Sequence, residues 1–219
     1  MFLSRLELVP LSAGTAAASD LFASPYSLHQ GVWRFFSKGE KRDRDFLFRI
    51  DRQAGRPLVF TLSERPPEDA DGLWSITTKV FEPDLRVGDR LAFRLRANPT
   101  IRRKEAGAKA GERCDAVYDQ RRQDKAAGVE RTVQEVAQEV GERWLARKGG
   151  DHGFQLRHVA VDGYEVHRFA KKGVTLSVAT CDFEGVLEVT DVAVFRETLR
   201  RGIGSAKGFG CGLLLVKRA

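Results

Sequence analysis

"LAFRLRANP", residues 91–99, sets the apolar Leu91, Phe93, Leu95 and Ala97 in alternation with Arg94, Arg96 and Asn98. A period of two is the mark of a strand with one buried and one polar face, and here the polar face is strongly cationic. Toward the N-terminus, "FLFRI" at 46–50 and "LVFTL" at 58–62 alternate in the same way around the turn-forming "QAGRP", so they read as a hairpin. "MFLSRLELV" reads as a first strand. Between it and the hairpin, Ser24 is a good N-cap and Pro25 suits the first helical position, while Leu28, Val32, Phe35 and Phe36 form the apolar stripe of a helix. The order through residue 98 is then β, α, β, β, β. That is most of a ferredoxin-like βαββαβ unit, with its second helix faintly signalled around 69–80.

Beyond Pro99 the character changes. Residues 99–128 hold many charges and little apolar periodicity, which marks a boundary and a long, mobile, basic connection. Next, Val129, Val133, Val136, Ala137, Val140 and Trp144 recur at helical spacing, and the run closes on the Gly149–Gly150 pair as a C-cap. A strand follows at 154–161, then a hairpin "YEVHRFAKKGVTLSVAT" turning at Lys171 to Gly173, and a strand "FEGVLEVTD". A short helix "VAVFRETLRR" capped by Asp191, a glycine-rich stretch and a last apolar strand "LLLV" complete the chain. The expected fold is α+β: two tandem ferredoxin-like (RRM-like) domains with antiparallel sheets, 1–98 and 129–219, joined by a basic linker at 99–128.

A chain of 219 residues accommodates two small domains, and a 42% hydrophobic composition can give each a core. Lys and Arg exceed Asp and Glu by 37 to 30, so the net charge is +7, which favours a polyanionic partner. No stretch of apolar residues is long enough for a membrane span, and Arg5 and Glu7 interrupt what a signal peptide would keep apolar. A soluble, cytoplasmic protein is expected. Cys114, Cys181 and Cys211 are odd in number and lack CxxC spacing, and His29, His152, His158 and His167 are scattered; neither a disulfide framework nor a metal site is visible.

"RGIGSAKGFGCGLL" packs Gly202, Gly204, Gly208, Gly210 and Gly212 around Ser205 and Lys207. A helix C-cap followed by a bulged strand accounts for one or two of them. The remainder points to close backbone approach to phosphate, with amides and Lys207 as donors. The order matches neither a Walker A loop nor a dinucleotide fingerprint, so no nucleotide cofactor is expected and an extended polyanion remains. Tyr26 and His29 stand at i and i+3, on one helix flank beside the apolar stripe. Alone, the pair reads either as a half-buried histidine at a helix start or as an imidazole able to move a proton at a ribose 2'-OH or a departing 5'-oxygen without a metal. In "HRFAKK", Arg168, Lys171 and Lys172 form either a solvated turn or a basic hairpin suited to RNA phosphates. Arg102, Arg103 and Lys104 are assigned to RNA from charge alone.

Five stretches, in this order, carry a resemblance that spans nearly the whole chain: "PYSLHQGVWRFF", "RDFLFRI", "LRANPT", "FEGVLEV" and "GIGSAKGFGCGLLLV". The sequence resembles the CRISPR-associated CasE family, the CRISPR-RNA-processing endoribonuclease of the type I-E Cascade complex. The resemblance implies two ferredoxin-like domains of the RAMP type and metal-independent cleavage of the repeat RNA at the 3' base of its hairpin, without a cofactor. It places catalysis on His29 and Tyr26. RNA contact falls on the loop from Gly202 to Gly212, including Gly204, Ser205, Lys207, Gly208 and Gly210, and on Arg168, Lys171 and Lys172. It implies other Cascade subunits as partners and no membrane. Two alternatives stay open: a non-catalytic RNA-binding subunit of the same superfamily, with His29 structural, and a basic ribosome-associated ferredoxin-like protein.

Overall fold

A computed structural model of the chain describes residues 1–9, 25–36, 44–53, 56–69, 72–103, 112–171 and 174–219; the side chains of 25, 26, 28, 29, 112, 169–171 and 174–176 lie outside the described set. The first sheet holds β1 (Phe2–Leu8), β2 (Phe46–Gln53), β3 (Arg56–Ser63) and β4 (Trp74–Val80), in the spatial order β2-β3-β1-β4 and antiparallel throughout. Helix α1 (Pro25–Arg34) covers one face of it. Val32, Phe35 and Phe36 are buried there, Phe36 stacked on Phe46 and Phe35 edge-on to Trp74.

β4 stands where the sequence faintly signals a second helix. Ile76, Thr77, Thr78 and Val80 are β-branched and favour the pleated surface. They pair with β1 from Leu8↔Trp74 to Phe2↔Val80, and the Trp74 amide donates to Asp69 Oδ2 at 2.8 Å to fix the strand's start. Among the described residues this unit therefore keeps one helix.

The strand at 91–97 does not close the first unit. β5 (Arg90–Ala97) pairs with β9 (Val174–Val189) and β10 (Leu214–Arg218), with β8 (Phe154–Lys171) beyond β9, in the order β10-β5-β9-β8. It is the first strand of the second ferredoxin-like unit, and the two sheets divide between Val80 and Arg90 rather than at residue 98. Alternation marks a strand but not its partner. The partner is set by the register Arg90↔Glu188, Arg94↔Glu184 and Arg96↔Asp182, three opposite-charge pairs along one face.

Residues 99–128 also differ from the expected linker. Their described part forms a two-stranded antiparallel pair, β6 (Thr100–Arg103) with β7 (Glu112–Asp115), and helix α2 (Ala116–Ala126). Asp115 caps α2 by accepting from the amides of Val117 and Tyr118. The helix buries only Ala116, Val117 and Asp119, too little to show as an apolar stripe.

Helix α3 (Val133–Asp151) opens with a capping box between Thr132 and Glu135. It runs through the Gly149–Gly150 pair instead of ending on it. A Cβ at Gly149 would lie 2.5 Å from the Phe154 carbonyl oxygen, so this glycine serves the packing of helix on strand. Helix α4 (Val192–Arg201), capped by Asp191, adds Phe195 and Leu199 to the same core, and Phe154 meets Phe195 edge-on. Between the sheets, Leu47, Leu62 and Leu213 form a small apolar cluster. Helix α1 packs on the first sheet and also reaches β8 of the second, while α3 and α4 pack on the second sheet. Among the described residues, no helix is long and apolar enough to cross a membrane.

Candidate nucleic-acid interface

The arginines of β5 are each paired with carboxylates of β9 or β2. Arg96 is bidentate to Asp182, with Nε at 3.0 Å and Nη2 at 2.7 Å, and its Nη1 donates to the Ile50 carbonyl of the first sheet at 2.7 Å. Arg49 on β2, 2% exposed, reaches Asp51 at 2.7 Å and Asp182 at 3.1 Å. Arg94 binds Glu184 and Asp51, and Arg90 shares Glu188 with Arg157. These last two guanidinium groups hold the Glu188 carboxyl below the usual carboxylate range. The alternating arginines thus join strands and sheets, and a polyanion would have to displace a carboxylate to reach them.

The glycine-rich stretch closes on itself. The Gly202 amide ends α4 by donating to Thr198 O at 2.8 Å, Ile203 N donates to Gly212 O at 3.0 Å, and Gly212 N donates to Arg96 O at 2.7 Å. Gly202, at φ +71°, leaves no room for a side chain: a Cβ would lie 2.6 Å from Gly212 O and 2.8 Å from a Leu47 methyl. Gly210, at φ +79°, lies against the Phe48 ring. The loop's own closure against the first sheet accounts for more of its glycines than a cap and a bulge would. Within it, Ser205 donates to Asn98 Oδ1 at 2.9 Å, Ala206 takes a left-handed conformation at φ +58°, and Lys207–Phe209 form a single 3₁₀ turn.

Helix α1 lies beside this 3₁₀ turn and beside β8. Tyr26 and His29 are one turn apart on the helix backbone. The fold therefore brings the helix that carries them to a loop far along the chain, at Lys207–Phe209. Lys207 is half-buried, with Arg44 and Arg201 near enough to act on its charge. Burial, then the charges of Arg44 and Arg201, hold its ammonium below the usual lysine range. His152, which caps α3 with Nδ1 2.8 Å from the Lys148 carbonyl oxygen, lies close enough to feel Lys207. Burial chiefly keeps this imidazole below its ordinary value.

Arg44, Arg201 and His152 are absent from the sequence-derived candidates. Nothing in their local pattern places them by the loop, because one precedes β2 and the others end two different helices.

The remaining candidates disperse. Arg168 is exposed on β8 opposite Ser177, and Lys171 ends β8 opposite Val174; Lys172 lies outside the described residues. Arg102 is exposed and directly opposite Arg113. Arg103, in contrast, is an ion-pair partner of the buried Asp119 at 3.0 Å, which anchors the β6–β7 hairpin on α2. Lys104 lies outside the described residues.

A family model described as "CRISPR associated protein" matches residues 1–218. The chain belongs to this CRISPR-associated family. It is 32% identical over 195 residues to the CRISPR system Cascade subunit CasE of Escherichia coli, covering 86% of this chain and 89% of that one. It is also 32% identical over 228 residues to the CRISPR-associated endoribonuclease Cse3 of Thermus thermophilus, covering 99% of each. A solved structure of Cse3 bound to a 19-nucleotide RNA matches with a TM-score of 0.73 at 30% identity over 99% of this chain and 98% of that one. The crystal structure of Cas6e from Escherichia coli matches with a TM-score of 0.66 at 27% identity over the whole of both chains. Membership extends over both sheets and over the glycine-rich loop that joins them.

Proposed function

We propose that this chain is a CRISPR-repeat endoribonuclease that binds the hairpin of the repeat RNA and cuts at the 3' base of that hairpin, acting in the cytoplasm and staying bound as a subunit of a Cascade-type complex. One observation carries the reading: the helix bearing Tyr26 and His29 lies against the 3₁₀ turn of a loop whose half-buried Lys207 has Arg44 and Arg201 for neighbours. Two ferredoxin-like sheets with that junction between them, in a chain similar along its whole length to an RNA-bound Cse3, suit a single RNA strand passing from a stem into an active site.

In this reading the 2'-oxygen attacks the adjacent phosphorus, the bond to the 5'-oxygen breaks, and the products are a 2',3'-cyclic phosphate and a 5'-OH. His29 moves one of the two protons involved, at the 2'-oxygen or at the 5'-oxygen, as an imidazole titrating near neutrality can. Tyr26 orients the 2'-OH or the phosphate. Lys207, with Arg44 and Arg201 behind it, offsets the charge that builds on the non-bridging oxygens. Arg168, Lys171 and Lys172 of the β8–β9 hairpin grip the stem through its phosphates, which position the RNA without reading its sequence.

The test is to mix the purified protein with the repeat RNA of its own CRISPR array in excess EDTA and resolve the products on a denaturing gel. A single cut at the hairpin base supports the enzyme. Tight binding without cutting would make the chain a non-catalytic RNA-binding subunit, and no preference for the repeat over unrelated stem-loops would remove the repeat as its substrate.

A further inference from the structure

The segment between β5 and α3, which sequence periodicity leaves blank, sorts its charges by direction. Asp115 is consumed as the cap of α2 and as acceptor of the Tyr164 hydroxyl at 2.6 Å. Asp119 is buried against Arg103, and Asp124 faces Gln120 and Arg131. Gln120 in turn accepts from Arg143 of α3 at 3.1 Å, so the face with Val117, Gln120 and Asp124 is the one that packs.

The opposite face carries Tyr118, Arg121, Arg122 and Lys125, at i, i+3, i+4 and i+7, all exposed. Among the described residues no carboxylate lies within ion-pair distance of these three cations. Tyr118 is 62% exposed, and its ring heads the cationic stripe. The hairpin that leads into α2 repeats the pattern. Arg102 and Arg113 are directly opposite, a pairing of like charges that destabilises a sheet unless an anion lies between them. A merely solvated helix would intersperse acids among its bases on the outer face; this one has turned every described acid inward.

We infer that the outer face of α2, with Arg121, Arg122 and Lys125, is a second RNA-backbone contact surface, separate from the glycine-rich loop. Asp115 ties the start of α2 to Tyr164, at the register shift midway along β8, so the surface stands beside the β8–β9 hairpin, where a bound stem would continue onto it. The occupant is RNA phosphate: the stripe offers three cations and no acid, and an exposed aromatic ring beside guanidinium groups is a platform for a base. This inference rests on the reading of the chain as a repeat-RNA-binding protein.

The experiment measures binding of the full-length protein to the repeat RNA of its own array across a salt series, for the wild type and for R121Q/R122Q/K125Q. Each lost phosphate contact flattens the dependence of log K on log salt by about 0.7–0.9, so the triple variant should flatten it by about two units. It should also weaken binding at least about tenfold at low salt, while the cleavage rate at saturating protein is unchanged. Should the triple variant misfold, Arg122→Gln alone serves, with a change of about one contact. An unmoved slope in a folded variant overturns the inference. So does unchanged RNA binding with loss of association with the other Cascade subunits, which would make the face a protein-docking surface. A wild type that fails to bind the repeat RNA sinks this inference together with the proposed function, whereas a binding wild type and an unmoved variant sink this one alone.

Discussion

The carboxamide of Asn98 ties the glycine-rich loop to the second sheet. Its Oδ1 accepts from Ser205 Oγ at 2.9 Å, and its Nδ2 donates to the carbonyl of Ala179 on β9. One side chain at the end of β5 thus sets the loop relative to the strand that forms half of the basic hairpin. Asn98→Asp keeps the shape but turns a donor into a carboxylate facing a carbonyl oxygen in a buried site. It should destabilise the protein by about 2 kcal/mol, against about 1 kcal/mol for Ser205→Ala, which removes one hydrogen bond and leaves the sheet contact. Urea denaturation of the two variants measures the difference, and equal costs would show that the Ala179 contact carries no weight.

The ionic seam between the sheets predicts a second contrast. Asp182 serves Arg96 and the buried Arg49 together, so Asp182→Ala leaves two guanidinium groups short of a counter-charge. Because Asp51 still pairs with Arg49, the cost should be about 2–4 kcal/mol, somewhat under that of a fully orphaned buried charge. Arg94 is half exposed, and Arg94→Ala should cost under about 1 kcal/mol although it too has two acidic partners. Thermal unfolding orders the variants, and a loss for Arg94→Ala as large as that for Asp182→Ala would mean that exposure does not govern this seam.

Strand existence is legible at β5 because alternation is a local signal, but its sheet is not, because pairing with Glu184 and Glu188 is decided far along the chain, on β9. The same distance hides the neutralisation of its arginines, so a face that reads as cationic is an ion-pair ladder with β9. Helix α2 escapes because its stability comes from a cap, ion pairs and two small apolar side chains, none of which gives a periodic stripe. The β4 segment carries a readable signal in Ile76, Thr77 and Thr78, overridden by the expectation of a complete βαββαβ order. At the candidate site, Tyr26, His29 and the glycine-rich stretch are visible as local motifs. Arg44, Arg201 and His152 are not, since only the fold gathers them at Lys207.

That gathering makes a pH prediction. The Lys207 ammonium loses its proton more readily than an ordinary lysine, which titrates near 10.5, because burial and the neighbouring Arg44 and Arg201 disfavour the charge. If Lys207 binds RNA phosphate as proposed, the phosphate favours the charged form, so RNA affinity is level while Lys207 stays protonated in the free protein and falls as pH rises past its lowered value. Lys207→Arg keeps its charge at these pH values and should abolish that alkaline loss while binding normally near neutral pH. Binding curves from neutral pH up to the ordinary lysine range read it directly. An identical alkaline loss in the arginine variant would assign the titration to another group.

His29→Ala should slow single-turnover cleavage by about 100-fold to 10,000-fold, the usual contribution of a general acid or base, with little change in RNA binding. A structural histidine at the start of a helix would behave otherwise, lowering the melting temperature and leaving the rate of the folded fraction intact. Rate and stability measured on the same preparation therefore separate the two roles.

The nucleophile gives the sharpest chemical test. If the ribose 2'-oxygen attacks, the reacting group belongs to the RNA, and the protein need only move protons and stabilise charge. A single 2'-deoxy substitution immediately 5' of the scissile phosphate then removes the nucleophile and leaves the base pairs of the stem and every phosphate in place. Binding should stay within about twofold, since a single hydroxyl contributes little beside a backbone footprint of several phosphates. Cleavage should fall below detection, and mass spectrometry of the all-ribose product should find a 2',3'-cyclic phosphate. Efficient cutting of the deoxy-substituted RNA would require an activated water instead. With a dependence on added Mg2+, it would indicate metal-assisted hydrolysis, a chemistry in which His29 and Tyr26 would no longer occupy the central roles.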